Sequence, residues 1–160
     1  MNMDIVLNMN KYDLVVKAIE TAISAHGSQK DRVGNPYILH PLRVMNKFWD
    51  NPELMCVAVL HDVLEDTELT SNDLLQEFPK NIVDAVELLT KAEDQSYEDY
   101  IVRLLESKNK LALQIKLADM EDNSSFIRTL GEDLDTSERF GKKLIKYRKA
   151  VNAIRKVINS

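Results

Sequence analysis

Residues 57–67 read VAVLHDVLEDT, and the fold turns on that stretch. It starts without charge: Val57, Ala58, Val59 and Leu60 continue from Met55 and Cys56 as an apolar helical run. His61, Asp62, Glu65 and Asp66 then follow within six residues. Carboxylates beside an apolar run are costly to bury unless something positive compensates them, and a divalent cation is the usual compensation. On a continuous helix His61 and Glu65 lie one turn apart, as do Asp62 and Asp66. The stretch therefore predicts a buried helix whose end offers an imidazole and a carboxylate to a metal, with two more carboxylates for a water beside it.

Two adjacent residues do not complete a metal site, so further ligands must come from elsewhere. The chain has three histidines. His40 sits in NPYILHP and is a candidate; His26, in SAHGSQ at the end of the first predicted helix, reads as structural, hydrogen-bonded near the loop. In IKLADMEDN, Asp119 enters on the apolar face of Ile115, Leu117 and Ala118, again a group that calls for a partner.

Outward from these segments the periodicity is helical almost throughout, with four Gly, four Pro and no sustained β-type alternation. Asn10 caps a first helix with Tyr12, Val15, Val16, Ile19, Ala22 and Ile23 on one side. GSQKDRVGNP is a polar loop, and Pro41 suits the first turn of a helix over 42–50. Asn51-Pro52 starts the central helix, which runs to about residue 65. Thr70 caps a short helix through Phe78; further helices cover 81–91, a segment capped by Ser96, and 108–123. A polar connection over 131–137 precedes a last helix over about 137–158. Its apolar residues Phe140, Leu144, Tyr147, Val151, Ile154 and Ile158 form a narrow seam that packs back on the bundle. Met45, Phe48 and Trp49 read as core or pocket wall. The fold class is all-α: a compact bundle of seven or eight helices forming one domain over residues 1–160.

Composition narrows the function. No apolar run is long enough to span a membrane, the N-terminus lacks the pattern of a signal peptide, and the lone Cys56 reads as a buried thiol, so the expectation is a cytoplasmic protein. The formal charge of −5 is uneven: eight Lys and Arg and no acidic residue follow position 138, leaving about −13 on the rest. That basic tail reads as the solvated face of a helix rather than a nucleic-acid surface.

His40, the pair His61-Asp62, and Asp119 in KLAD resemble the H…HD…D signature of HD-domain metal phosphohydrolases. PYILHP, LHDVLEDT and IKLAD are similar, more closely, to the hydrolase domain of RelA/SpoT proteins and their small stand-alone relatives, over residues 22–123. The resemblance implies that His40, His61, Asp62 and Asp119 hold one divalent ion per chain, in this family usually Mn²⁺. It implies that Glu65 and Asp66 are the catalytic carboxylates and that Asn123 lies near substrate. The reaction implied is guanosine 3′,5′-bis(diphosphate) 3′-pyrophosphohydrolysis, with a small nucleotide as the binding partner and hydrolysis as the sole activity.

The departures are specific. Asp31 stands where better-known members carry an Arg that packs on the guanine base; Lys30 and Arg32 are the cations at hand to replace it. SSFIRT follows where the family usually has MRT. Arg43, Lys47 and Lys116 are candidate phosphate cations, Arg43 the foremost. The alternatives are an HD-type phosphohydrolase with another nucleotide substrate, and a module that binds an alarmone without turning it over. The motifs leave oligomeric state open.

Overall fold

The computed structural model describes residues 10–124 and 136–159; in the last helix, the side chains of 136–144 and 146 are not described. The SSFIRT stretch beyond Ser124, most of the 131–137 connection, and the Phe140 and Leu144 side chains lie outside the described residues.

Among the described residues the elements are all helical: α1 Lys11–His26, α2 Leu39–Asn46, α3 Pro52–Leu60, the single turn α4 Val63–Asp66, α5 Ser71–Leu75, α6 Lys80–Leu89, α7 Tyr97–Ser107, α8 Lys110–Asn123 and α9 Thr136–Ile158. Short polar side chains set the starts. Asn10 accepts from Tyr12 N–H, Asn51 from Leu54 N–H with Pro52 in the first turn, Thr70 from Asp73 N–H and Ser96 from Asp99 N–H, each satisfying a donor the helix cannot. Lys108, in the left-handed region at φ 51°, turns the chain from α7 into α8.

α3 is the axis of the molecule. Leu54 and every residue from Cys56 to Leu60 are buried, so the helix is apolar all round and needs neighbours on every side. α1, α2, α6 and α8 supply them. α9 returns onto α8 and α7, burying Ala150 and Ile154, with the Tyr147 ring stacked 6.2 Å from that of Tyr97. Each fully buried aliphatic side chain, such as Leu60, Leu104 or Ile154, contributes about 1.5–3 kcal/mol of transfer free energy.

Several local expectations differ from the structure: the helix capped by Thr70 ends at Leu75 rather than at Phe78. The second helix begins at Leu39 rather than 42, which puts His40 inside its first turn with Pro41, and it ends at Asn46, before 50. The central helix does not run to 65: the hydrogen-bond ladder is interrupted at His61 and Asp62, and α4 restarts with Glu65 N–H and Asp66 N–H both donating to the Asp62 carbonyl. Trp49 is 71 % exposed and belongs to neither core nor wall, whereas Met45 and Phe48 pack on the core. No helix among the described residues is long and apolar enough to cross a membrane.

Candidate active site

The end of α3, the first turn of α2 and the middle of α8 meet at one point. His40 Nε2 lies 3.2 Å from Asp119 Oδ1 and 3.6 Å from Asp62 Oδ2. His61 Nε2 lies 3.1 Å from Asp62 Oδ2 and 3.8 Å from Asp119 Oδ1. The two rings meet edge to face with centroids 5.1 Å apart. Ligand atoms of His40, His61 and Asp62 all fall within 4.8 Å of one another, and Asp119 reaches both imidazoles. The four residues singled out in sequence therefore converge.

Each ring is held from behind. His61 Nδ1 donates to the Ala58 carbonyl at 2.7 Å, one turn earlier on its own helix. His40 Nδ1 donates to Asp122 Oδ2 at 2.7 Å, from α8. Both Nε2 atoms face the carboxylates, and His61 Nε2 is buried without a hydrogen-bond partner among the described residues. Burial alone would lower the His61 pKa, but Asp62 and then Asp119 outweigh it and carry it up to about 9. The field that holds a proton there favours any cation. Two imidazole nitrogens and two carboxylates are also the donor set of a borderline divalent transition ion, so the residues fit such a metal.

The carboxylates have their own supports. Tyr37 O–H donates to Asp62 Oδ2 at 2.6 Å. Lys116 Nζ sits 2.9 Å from Asp119 Oδ2 and 5.1 Å from the centre of the Tyr100 ring. Asn123 donates its side-chain amide to Asp119 Oδ1. Burial raises the pKa of Asp119, but Lys116 and the two imidazoles hold it well below the usual carboxylate range. Lys116 pairs with Asp119, the local partner its spacing of three allows, while Tyr37 and Asp122 contact the cluster in ways the sequence alone did not assign. The one available signal for Asp122 was its spacing of three from Asp119, one helical turn on.

Glu65 and Asp66 flank the cluster on α4 and stay accessible. Glu65 Oε2 accepts from Lys91 N–H at 2.8 Å. The Asp66 backbone carbonyl accepts from the Gln29 side chain at 2.7 Å, tying α4 to the loop after α1. Burial, then the neighbouring carboxylates, raise the pKa of both groups. A carboxyl raised in this way holds a proton more readily than a free one, the direction that suits a group taking a proton from water.

The remaining candidates divide. Lys30 and Arg32 are exposed on the loop and make no side-chain ion pair among the described residues. Asp31 is occupied with the loop itself: Oδ1 accepts from Val33 N–H at 3.0 Å and from Asn35 N–H at 2.8 Å. Arg43 grips Asp122, Nε on Oδ1 at 2.9 Å and a terminal nitrogen on Oδ2 at 3.1 Å. Lys47 turns to the Ala118 carbonyl at 3.0 Å and Glu121 at 3.3 Å. His26 is buried, donating from Nδ1 to Gln29 Oε1 at 2.9 Å, with its ring 5.0 Å from Tyr37.

No protein-family model matches the chain. It is 33 % identical to a probable guanosine-3′,5′-bis(diphosphate) 3′-pyrophosphohydrolase of Mycoplasma pneumoniae, over 73 % of this chain and 18 % of the relative. It is 34 % identical to the protein of that name in Aquifex aeolicus, over 68 % of this chain and 17 % of the relative. The chain thus spans under a fifth of the length of these relatives. A solved structure of a metazoan ortholog of SpoT, described as hydrolysing ppGpp, superposes with a TM-score of 0.74 at 24 % identity, covering 89 % of this chain and 85 % of that one. That likeness establishes the fold. The chain belongs to the HD-domain family of RelA/SpoT-type hydrolase domains.

Proposed function

We propose that this chain is a divalent-metal phosphohydrolase acting in the cytoplasm on guanosine 3′,5′-bis(diphosphate), with residues 1–160 working as one HD-type domain and Mn²⁺ as the ion. One observation carries the reading: two imidazole nitrogens and two carboxylates face one point, with two raised carboxyls beside it. The names of the sequence relatives support the substrate.

In this reading His40, His61, Asp62 and Asp119 hold the ion, which supplies Lewis acidity toward a phosphate oxygen and acidifies water. Glu65 or Asp66 accepts the proton of the attacking water. The water oxygen bonds to the phosphorus joined to the ribose 3′ oxygen, and the P–O3′ bond breaks. The 3′ oxygen takes up a proton, leaving GDP and pyrophosphate. Glu65 keeps its orientation through Lys91 N–H, and Asp66 through the helical turn that starts at Asp62. Asn123, one turn after Asp119, orients that ligand and borders the substrate.

The test is pyrophosphate release from guanosine tetraphosphate with Mn²⁺, compared with His61→Ala. Release by wild type alone supports the reading; no release, or equal release by both, overturns it. One feature favours a second reading with the same centre and another nucleotide base. Asp31 is spent on capping its own loop, so base contact falls to Lys30 and Arg32. A nucleotide panel separates the two.

A further inference from the structure

Asp122 has no role in the metal and catalytic set proposed above, yet it is among the most constrained carboxylates in the molecule. It is only 7 % exposed, and three polar contacts converge on it: His40 Nδ1 at 2.7 Å, and Arg43 Nε and a terminal Arg43 nitrogen at 2.9 and 3.1 Å. Arg43 donates to both of its oxygens, so Asp122 is held as an acceptor and takes the ring N–H as well.

From this geometry we propose that Asp122, clamped by Arg43, is a positioning residue that fixes His40 with its proton on Nδ1 and its Nε2 lone pair turned toward Asp62 and Asp119. The inference rests on the metal reading above for its consequence, but not for its structural content. An imidazole has two nitrogens, and which one carries the proton follows from the bond the other makes. Were Nδ1 free, the ring could carry its proton on Nε2 and aim it at Asp119 Oδ1, 3.2 Å away, closing the ligand position. Asp122 removes that option. Arg43 in turn keeps Asp122 in place, because a bidentate guanidinium fixes both the plane and the distance of a carboxylate. Arg43 therefore acts through Asp122, behind the ligand rather than on a phosphate. His61 needs no such device, since the Ala58 carbonyl of its own helix does the same work.

Two variants test this. Asp122→Asn keeps the shape, but an amide whose oxygen is taken by Arg43 presents its NH₂ to the ring and turns Nδ1 into an acceptor. Arg43→Gln leaves Asp122 charged but unclamped. The first readout is the pair of imidazole ¹⁵N shifts of His40 in metal-free protein, followed upward in pH until they stop changing. The expected result is a proton on Nδ1 in wild type and on Nε2 in Asp122→Asn. The second is Mn²⁺ affinity by calorimetry, expected to fall about 10–100-fold in Asp122→Asn and less in Arg43→Gln. Excess Mn²⁺ should restore turnover, which damage to the fold would not allow. An unchanged His40 tautomer, with affinity within about twofold of wild type, overturns the proposal. If Asp122→Asn fails to fold, Arg43→Gln decides by the same two readouts. Wild type that binds Mn²⁺ but spares guanosine tetraphosphate sinks the substrate reading and leaves this one standing, since neither readout involves turnover.

Discussion

The two halves of the candidate centre are built in different ways. One half, His61 to Asp66, is a continuous piece of chain hung on the end of a wholly buried helix. Its imidazole is oriented by a carbonyl three residues earlier, and its carboxylates follow within the next five residues. The other half is assembled: His40 from α2 and Asp119 from α8, held by Asp122, Arg43, Lys116 and Asn123. The His40–Asp122 bond spans 82 residues. The contiguous half hangs on the local backbone and the apolar surface of α3, with the Tyr37 O–H and the Lys91 N–H donating to its carboxylate side chains from elsewhere. The assembled half is fixed by buried ion pairs, whose members are costly to leave unpaired. The comparison predicts that damage to the assembled half costs stability as well as metal, while damage to the contiguous half costs metal or chemistry with a smaller loss of stability.

Asp119→Ala should do the most harm. It removes a ligand and strands Lys116, whose side chain is 16 % exposed, without its partner. Urea unfolding should show a loss of about 3–5 kcal/mol, and Mn²⁺ binding should vanish. Adding Lys116→Met should recover much of the stability and none of the metal. Asp62→Ala, at a side chain 19 % exposed, should lose metal with a smaller stability loss; equal losses for the two would break the distinction.

Next in size are Glu65→Gln and Asp66→Asn. Either should lower kcat by about 10²–10⁴ if it removes the proton acceptor, with the unfolding midpoint and Mn²⁺ affinity nearly unchanged. Loss of metal affinity in parallel with kcat would place these carboxylates among the ligands instead.

Tyr37→Phe deletes the O–H that donates to Asp62 and should cost about 1–2 kcal/mol, read from the same unfolding curves. The smallest effect concerns the apolar side of α3. Burial pushes the Cys56 thiol from its usual 9 up to about 12, with Glu53 adding to the rise. The raised group contributes stability that is complete below pH 9 and is lost as pH climbs toward 12, because the unfolded chain releases the proton first. Unfolding midpoints of wild type should thus fall faster over that window than those of Cys56→Ala, and thiol reagents should leave folded protein unmodified at neutral pH.

The same division explains what could be read in the sequence. Capping residues Asn10, Asn51, Thr70 and Ser96 act within four residues of themselves, and each starts a helix as expected. The apolar run before His61 foretold its burial, and the four ligand candidates meet as expected. What spacing could not convey was pairing across the fold. Arg43 is an ordinary basic residue until α8 brings Asp122 against it, and Lys116, already one turn from Asp119 in sequence, is enclosed only when α7 brings the Tyr100 ring over it. The interruption after Leu60 was hidden for a different reason: the backbone stays near helical angles through His61 and Asp62, so the residue pattern remains helical while the hydrogen bonds change register. Trp49 illustrates the converse, an aromatic whose position in a turn beyond Asn46 leaves it in solvent.

The most direct test is a calorimetric titration of metal-free protein with Mn²⁺, run side by side on wild type and His61→Ala. The account predicts saturation at one ion per chain for wild type and no saturable uptake for the variant. Uptake that is absent from wild type, or identical in the two, would contradict it.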